Sequence, residues 1–204
     1  MTVAHETRRR LAPEDRKRQL LDYALNVFAL RGLGRAGHTE IAQLAGVSVA
    51  TVFNYFNTRE TLVNEVLCEV EDVLGSLAVK AAGGSNDPET MLEYYIDAFL
   101  SACEERPDHI KIWLEWSSSI REDTWPRYLE FQQHFLELLA SQIERGIQSG
   151  QLATGLSAEE RARWVLGNAH MLVSMAFNPG DSDPADLRDM VRRGFRHIIG
   201  IQTP

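Results

Sequence analysis

The chain is expected to be all-α, and three observations predict it. Apolar residues recur at i, i+3, i+4 and i+7 along most of the sequence rather than at alternate positions, so strand signals are nearly absent. Helix starts carry capping residues, most plainly Ser157 with Glu160 three positions on, the spacing of a capping box. Helix ends carry glycine or proline, as at Gly46, Pro107 and Gly150. With 204 residues, 44% of them hydrophobic, the chain can bury a sizeable core in one or two domains.

Residues 1–12 are polar and include the run Arg8, Arg9, Arg10 before any periodic segment begins. Such a run reads either as a solvated tail or as a flexible basic arm, in which Arg8 and Arg10 would enter a DNA minor groove. The first helix is expected from Pro13 or Glu14 to Arg31, with Leu20, Leu21, Ala24, Leu25 and Phe28 inward. Arg16, Lys17 and Arg18 lie in its first turns, where positive charge opposes the helix macrodipole. Phosphate contact is the better use for them, and Lys17 is the candidate. Gly32, Gly34 and Gly37 then form a flexible link, with Arg35 exposed.

Residues 37–56, GHTEIAQLAGVSVATVFNYF, hold two short amphipathic segments either side of Gly46. In the first, Ile41, Leu44 and Ala45 face inward behind Thr39, a good N-cap residue. In the second, Val49, Val52, Phe53 and Phe56 form the inward stripe behind a second N-cap candidate, Ser48. Gly46 supplies the positive φ that a tight inter-helix turn needs. This is a helix-turn-helix pattern. The free face of its second helix carries Thr51, Asn54 and Tyr55, with Ser48 and Ala50 near its leading end. Hydroxyls can hold phosphates, an Asn amide can pair with adenine N6 and N7, and small residues admit the backbone to a major groove. The bland alternative is a two-helix corner in a helical protein. The candidate DNA-contact set is Arg8, Arg10, Lys17, Thr39, Ser48, Val49, Ala50, Thr51, Asn54 and Tyr55.

Asn57 breaks the pattern and Thr58 is expected to cap a long fourth helix reaching about Lys80, striped by Val63, Val66, Leu67, Val70, Val73, Leu74 and Leu77. Ala82 to Pro88 is a break, and Pro88 suits the first position of a fifth helix that Pro107 ends. A short aromatic helix is expected from Ile110 through Ser119, and a seventh helix from about Trp125 to Ser149. The eighth runs from its cap at Ser157 to Phe177 and alternates bulky residues with Gly167, Ala169, Ser174 and Ala176. After a loop at 178–184, Leu187, Val191, Phe195, Ile198 and Ile199 stripe the ninth. Small residues on the last two helices suggest close helix-on-helix association across a two-fold axis, the alternative being packing within one chain.

Net charge is −8, which at first argues against a nucleic-acid partner. The charge is unevenly spread, however: residues 1–62 hold nine Arg or Lys against six Asp or Glu, and the remainder hold 12 against 23. A basic N-terminal module on an acidic body is the better description. Cys68 and Cys103 lie among apolar neighbours and read as small buried residues rather than a disulfide. Neither a CxxC nor an HExxH spacing occurs, so no metal or cofactor is expected. The N-terminus lacks a hydrophobic leader and no apolar run spans a bilayer, so a cytoplasmic protein, nucleoid-associated when on DNA, is expected.

From Leu20 to Leu67 the residues resemble the DNA-binding domain of the TetR family of bacterial regulators. The likeness rests on the close of the first helix at Val27 and Phe28, the Gly-rich link, and the order AGVS, TVFNYF and TRETLV from Ala45 to Val63. Arg8 to Leu11, Gly32 to His38, Val47 to Arg59 and Trp113 to Pro126 are further similar to the vibrio quorum-sensing master regulators within that family, the LuxR and HapR type. The resemblance implies a nine-helix fold with a flexible arm at 1–12, a helix-turn-helix domain at 13–60, and a regulatory and dimerisation body at 61–204. It implies a homodimer through the last two helices, bound to a pseudo-palindromic operator on double-stranded DNA, as repressor or activator.

Trp113, Trp116, Trp125, Tyr128, Phe131 and Phe135 concentrate aromatic rings in the body, with Ser117, Gln132 and His170 as polar groups that could project among them. They read equally as plain core or as the wall of a pocket. The resemblance implies an effector cavity for a small apolar ligand, lined at Leu74, Leu77, Ala78, Trp113, Tyr128, Gln132, Leu139 and Ala169; His170 completes the candidate set. Leu74 and Ala78 are less bulky than the aliphatic residues of that subgroup.

Three functional classes compete. The first is a dimeric transcription factor, either of the quorum-sensing type or a small-molecule-sensing repressor of a local metabolic or efflux operon. The second is a helical enzyme using Glu115 or His170 near Trp113, for which no catalytic set can be assembled from spacing. The third is a helical interaction module, against which the arm arginines and the Thr51, Asn54, Tyr55 face argue.

Overall fold

The computed structural model describes residues 12–178, 180 and 184–201. Arg8 and Arg10 lie outside the described residues. Among those described there are nine α-helices: α1 Pro13–Arg31, α2 His38–Ala45, α3 Val49–Tyr55, α4 Arg59–Gly83, α5 Pro88–Glu105, α6 Pro107–Trp116, α7 Trp125–Gln148, α8 Ala158–Ala176 and α9 Pro184–Ile199. One isolated β-bridge joins Leu152 to Ile201. The chain divides into two compact units, Met1–Leu67 and Cys68–Pro204, the division falling inside α4.

The N-terminal unit is built on α1, whose Leu20, Leu21, Ala24, Leu25, Val27 and Phe28 are buried. Leu33 and Ala36 of the following link, Ile41 and Ala42 of α2, Val52 of α3, Phe56, and Leu62, Val63, Val66 and Leu67 of α4 complete its buried apolar surface. Gly46 closes α2 in the left-handed region, φ 64° and ψ 38°, and its N–H bonds back to Ala42 and Gln43 carbonyls. Thr58 Oγ1 accepts from the Thr61 N–H at 3.0 Å, capping α4 as its position in the sequence implies.

Two expectations fail in this unit, and a third residue, Lys17, is engaged within the chain. Thr39 does not cap α2: the helix begins one residue earlier at His38, the cap is Gly37, and Thr39 is exposed. The early start comes from a tertiary contact, because His38 is drawn inside by a bond to Phe56 O. Leu44, Val49 and Phe53, expected inward, are exposed. Helix α3 is only seven residues long, and Val52 and Phe56 alone fill its inward side. Lys17, expected on phosphate, pairs with Glu65 of α4 at 2.8 Å, while Arg16 donates to Gln19 Oε1.

The larger unit buries one cluster drawn from every helix in it but α6, including Ala78, Leu92, Ile96, Leu139, Ile143, Val165, Leu172, Val191 and Phe195. Helix α8 opens with the full capping box, Ser157 Oγ accepting from Glu160 N–H and Glu160 reaching back to Ser157 N–H. Helix α9 docks antiparallel on α5 through a ladder of ion pairs, Arg188 with Asp97, Arg192 with Glu93 at 2.6 Å, and Arg196 with Glu89. All six residues recur every fourth position, so each helix presents one charged row to the other.

Arg161 is 3% exposed and donates to the carbonyls of Ala153, Leu156 and Ile199. It thereby holds the end of α9 against the start of α8. Gly200 has φ 81°, and a Cβ there would meet the Arg161 guanidinium at 2.8 Å, so glycine is required on both counts.

Two boundaries differ from expectation. Helix α6 starts at Pro107 and stops at Trp116, because Ser117, Ser118 and Ser119 turn their hydroxyls onto the Leu114 and Glu115 carbonyls, competing with helix continuation. Cys68 is exposed and lies 3.0 Å from Arg127 Nη2, whereas Cys103 is buried; both thiols are free.

Candidate nucleic-acid interface and body cavity

The surface of α3 follows from its inward residues. Val52 and Phe56 are fully buried. At 100° per residue, Ala50 and Asn54 fall on the opposite side, one turn apart. Both are exposed, with Thr51 and Tyr55 half-buried on the flank. Ser48 caps the helix, accepting from Thr51 N–H at 3.1 Å, and its hydroxyl pairs with that of Thr51 at 2.9 Å. The helix therefore presents an amide and a methyl outward, with hydroxyls and apolar side chains around them. An exposed Asn on a short, well-capped helix can reach base edges in a major groove.

The cations of this unit are unequally committed to partners within the chain. Arg35 is exposed. Arg31 lies 3.5 Å from Glu40, Lys17 is committed to Glu65, and Arg59 donates to Leu33 O. Thr39 stands exposed in the first turn of α2. Two residues that the sequence reading did not place together matter most locally, Phe53 having been expected inward. His38 is 7% exposed and stacks on Phe53, ring centroids 3.9 Å apart and planes within 5°. Fifteen positions of separation give no periodic signal for such a pair.

In the larger unit a cavity of about 260 Å³ opens among five helices. Its walls are Leu74, Gly75, Ala78 and Val79 of α4, Phe99 of α5, Trp113 of α6, Tyr128, Phe131, Gln132, His134, Phe135 and Leu138 of α7, and Leu166 of α8. The expected residues Leu74, Ala78, Trp113, Tyr128 and Gln132 are thus brought together. Leu77 instead lines a much smaller adjoining cleft with Tyr95, Ala98 and Phe99. Leu139 and Ala169 are buried in the packing and do not line the cavity. His170 stands behind Trp113, ring centroids 4.3 Å apart, its Nδ1–H donating to Leu166 O at 2.9 Å.

The cavity is apolar with few polar groups. Gln132 Nε2 donates to the Tyr128 hydroxyl at 3.2 Å, which leaves the Gln132 carbonyl available. Burial pushes the Tyr128 phenol up despite bonds from Gln132 and Ser117 that pull the other way. Burial pushes His170 down, against its carbonyl bond. Among the described residues no carboxylate, lysine or arginine lines the wall. Glu115 is exposed, and among the described residues no group of three or more His, Cys, Asp or Glu could hold a metal.

Helix-turn-helix geometry on a basic unit, joined to a helical body, defines the class of helix-turn-helix DNA-binding regulators. Residues 20–66 match the family described as "Bacterial regulatory proteins, tetR family". The chain is 34% identical over 190 residues to the HTH-type transcriptional regulator LuxR of Vibrio harveyi, covering 93% of this chain and 92% of that protein. It is 26% identical over 193 residues to the HTH-type transcriptional repressor KstR2 of Rhodococcus jostii, with 93% and 92% covered. Its fold matches the ketosteroid transcriptional regulator KstR2 of Mycobacterium tuberculosis with a TM-score of 0.71 at 19% identity, over 90% of this chain and 93% of that one. The chain belongs to the tetR family of bacterial regulatory proteins. It is a DNA-binding transcription regulator. Among the described residues no helix is long and apolar enough to cross a membrane.

Proposed function

We propose that the chain acts as a cytoplasmic homodimer on a pseudo-palindromic operator, with α3 of each protomer in successive major grooves. The observation that carries this reading is the outward pair Ala50 and Asn54 on a helix whose opposite side is fully buried. The contact set is Ser48, Val49, Ala50, Thr51, Asn54 and Tyr55, with Thr39 nearby and Arg8 and Arg10 of the arm in the minor groove. The module spans 13–60 and the body 61–204. Two half-sites one helical turn apart require two copies, and exposed apolar side chains on α8 and α9 supply the surface for pairing.

The body cavity takes a small apolar ligand in this reading. Binding there biases α4, which carries residues of both units, and shifts the population of DNA-competent dimers. Such coupling amounts to about 1–3 kcal/mol, roughly 5- to 150-fold in operator affinity. Likeness to LuxR of Vibrio harveyi over nearly the whole chain supports a place in quorum-sensing control. The cavity equally supports a small-molecule-sensing repressor of a local operon.

Selection of bound sequences from random duplex DNA, with wild type and Asn54→Ala side by side, tests the reading. A two-fold-symmetric motif enriched by wild type and lost or relaxed in the variant is expected. No enrichment by folded, ligand-free wild type would sink it.

A further inference from the structure

Phe53 is 44% exposed on the DNA-contact helix, where solubility alone would place a polar residue. One face of its ring is covered by the parallel imidazole of His38. That imidazole is itself fixed, because its Nε2 lies 2.6 Å from Phe56 O. A carbonyl only accepts, so Nε2 carries the hydrogen and donates. Phe56 is the C-cap of α3, so the bond also satisfies a carbonyl at the helix end that has no partner within the helix. Val49, one turn before Phe53, is exposed on the same side. The two form an apolar strip running beside Ala50 and Asn54.

Resting on the DNA-binding reading, we propose that Phe53 reads thymine by packing on its C5-methyl group in the major groove, and that His38 is the positioning residue that holds the ring there. Among the bases only thymine offers a methyl group in that groove, and phenylalanine is a side chain suited to contact it. The strip is continuous with the face that presents Asn54, so its occupant is the same duplex. The thymine lies next to the base that Asn54 reads. Stacking on a buried, hydrogen-bonded ring fixes the Phe53 rotamer before DNA arrives, which lowers the ordering cost of the contact.

The test uses the full chain and an operator duplex obtained by selection, with each thymine replaced in turn by deoxyuridine, which removes only the methyl. Wild type should bind about 3- to 10-fold more weakly when one thymine per half-site is replaced, the scale of a buried methyl contact. Phe53→Ala should bind the thymine and uracil duplexes alike. His38→Ala should lose most of the discrimination, and His38→Tyr, which restores a stacking ring, should regain it. A purely structural His38 would lower affinity for both duplexes equally and leave their ratio unchanged, which overturns the positioning role. Wild type indifferent to uracil at every position overturns the inference alone and needs no variant to fold. Failure to enrich any operator overturns the DNA-binding reading and this one with it.

Discussion

His170 shows how one side chain carries the cost of a packed body. Its ring lies against Trp113, and burial holds its pKa below the ordinary value of 6.5. The folded chain therefore keeps it neutral where the unfolded chain would protonate it. Below about pH 6.5 the unfolded state takes up a proton that the folded state resists, so stability falls as pH falls. Comparing urea midpoints of wild type and His170→Gln at pH 7.5 and 5.5 should show wild type losing more on acidification. Equal losses would mean that His170 titrates alike in both states. Arg161 is the opposite case, a buried cation whose three nitrogens each donate to a carbonyl. Neither arrangement is readable from sequence, where each is one polar residue on a helix. A partner 38 positions away, as Ile199 is from Arg161, leaves no local trace.

At the scale of elements, local chemistry was legible and tertiary override was not. Ser48, Thr58 and the Ser157 and Glu160 pair cap the helices they precede because capping involves residues within three positions. Thr39 has the same chemistry and fails because His38, held by Phe56 O, sets the start of α2. The inward stripe of α3 was over-read because seven residues make barely two turns, too few to distinguish a two-residue face from a four-residue one. Gly46 offers a direct test of the turn. A Cβ there meets nothing within 4 Å, so Gly46→Ala isolates the cost of left-handed backbone at φ 64°. That cost is about 1–2 kcal/mol, measurable by equilibrium denaturation, with Gly46→Asn less affected. An unchanged stability would show that the turn relaxes into another conformation.

For the whole molecule, the cavity and the proposed pairing surface are set by which faces helices leave uncovered. Of the walls, the family resemblance named Leu74, Ala78, Trp113, Tyr128 and Gln132 but also Leu77 and Leu139, which point elsewhere, and it did not name Phe99 or Leu166, because which side chains face the cavity depends on how the helices pack. Helix α8 carries the clearest uncovered face: Trp164 is 60% exposed, with Gly167 and Met171 following at helical spacing. Met190 and Gly194 are exposed on α9. Aromatic side chains dominate interface energetics, and Trp is enriched at hot spots, whereas a lone indole in water gains nothing from its area. Glycine beside it permits close approach of a second helix. Trp164→Glu places a charge at that face without touching either the cavity or α3. The variant should sediment as a monomer at micromolar concentration with helical content intact. Its operator affinity should fall by about 100-fold or more, because each half-site is then bound without the effective concentration that a second, linked half-site provides. A variant that remains dimeric would move the interface away from α8; one that becomes monomeric yet binds the operator unchanged would show that a single helix-turn-helix suffices.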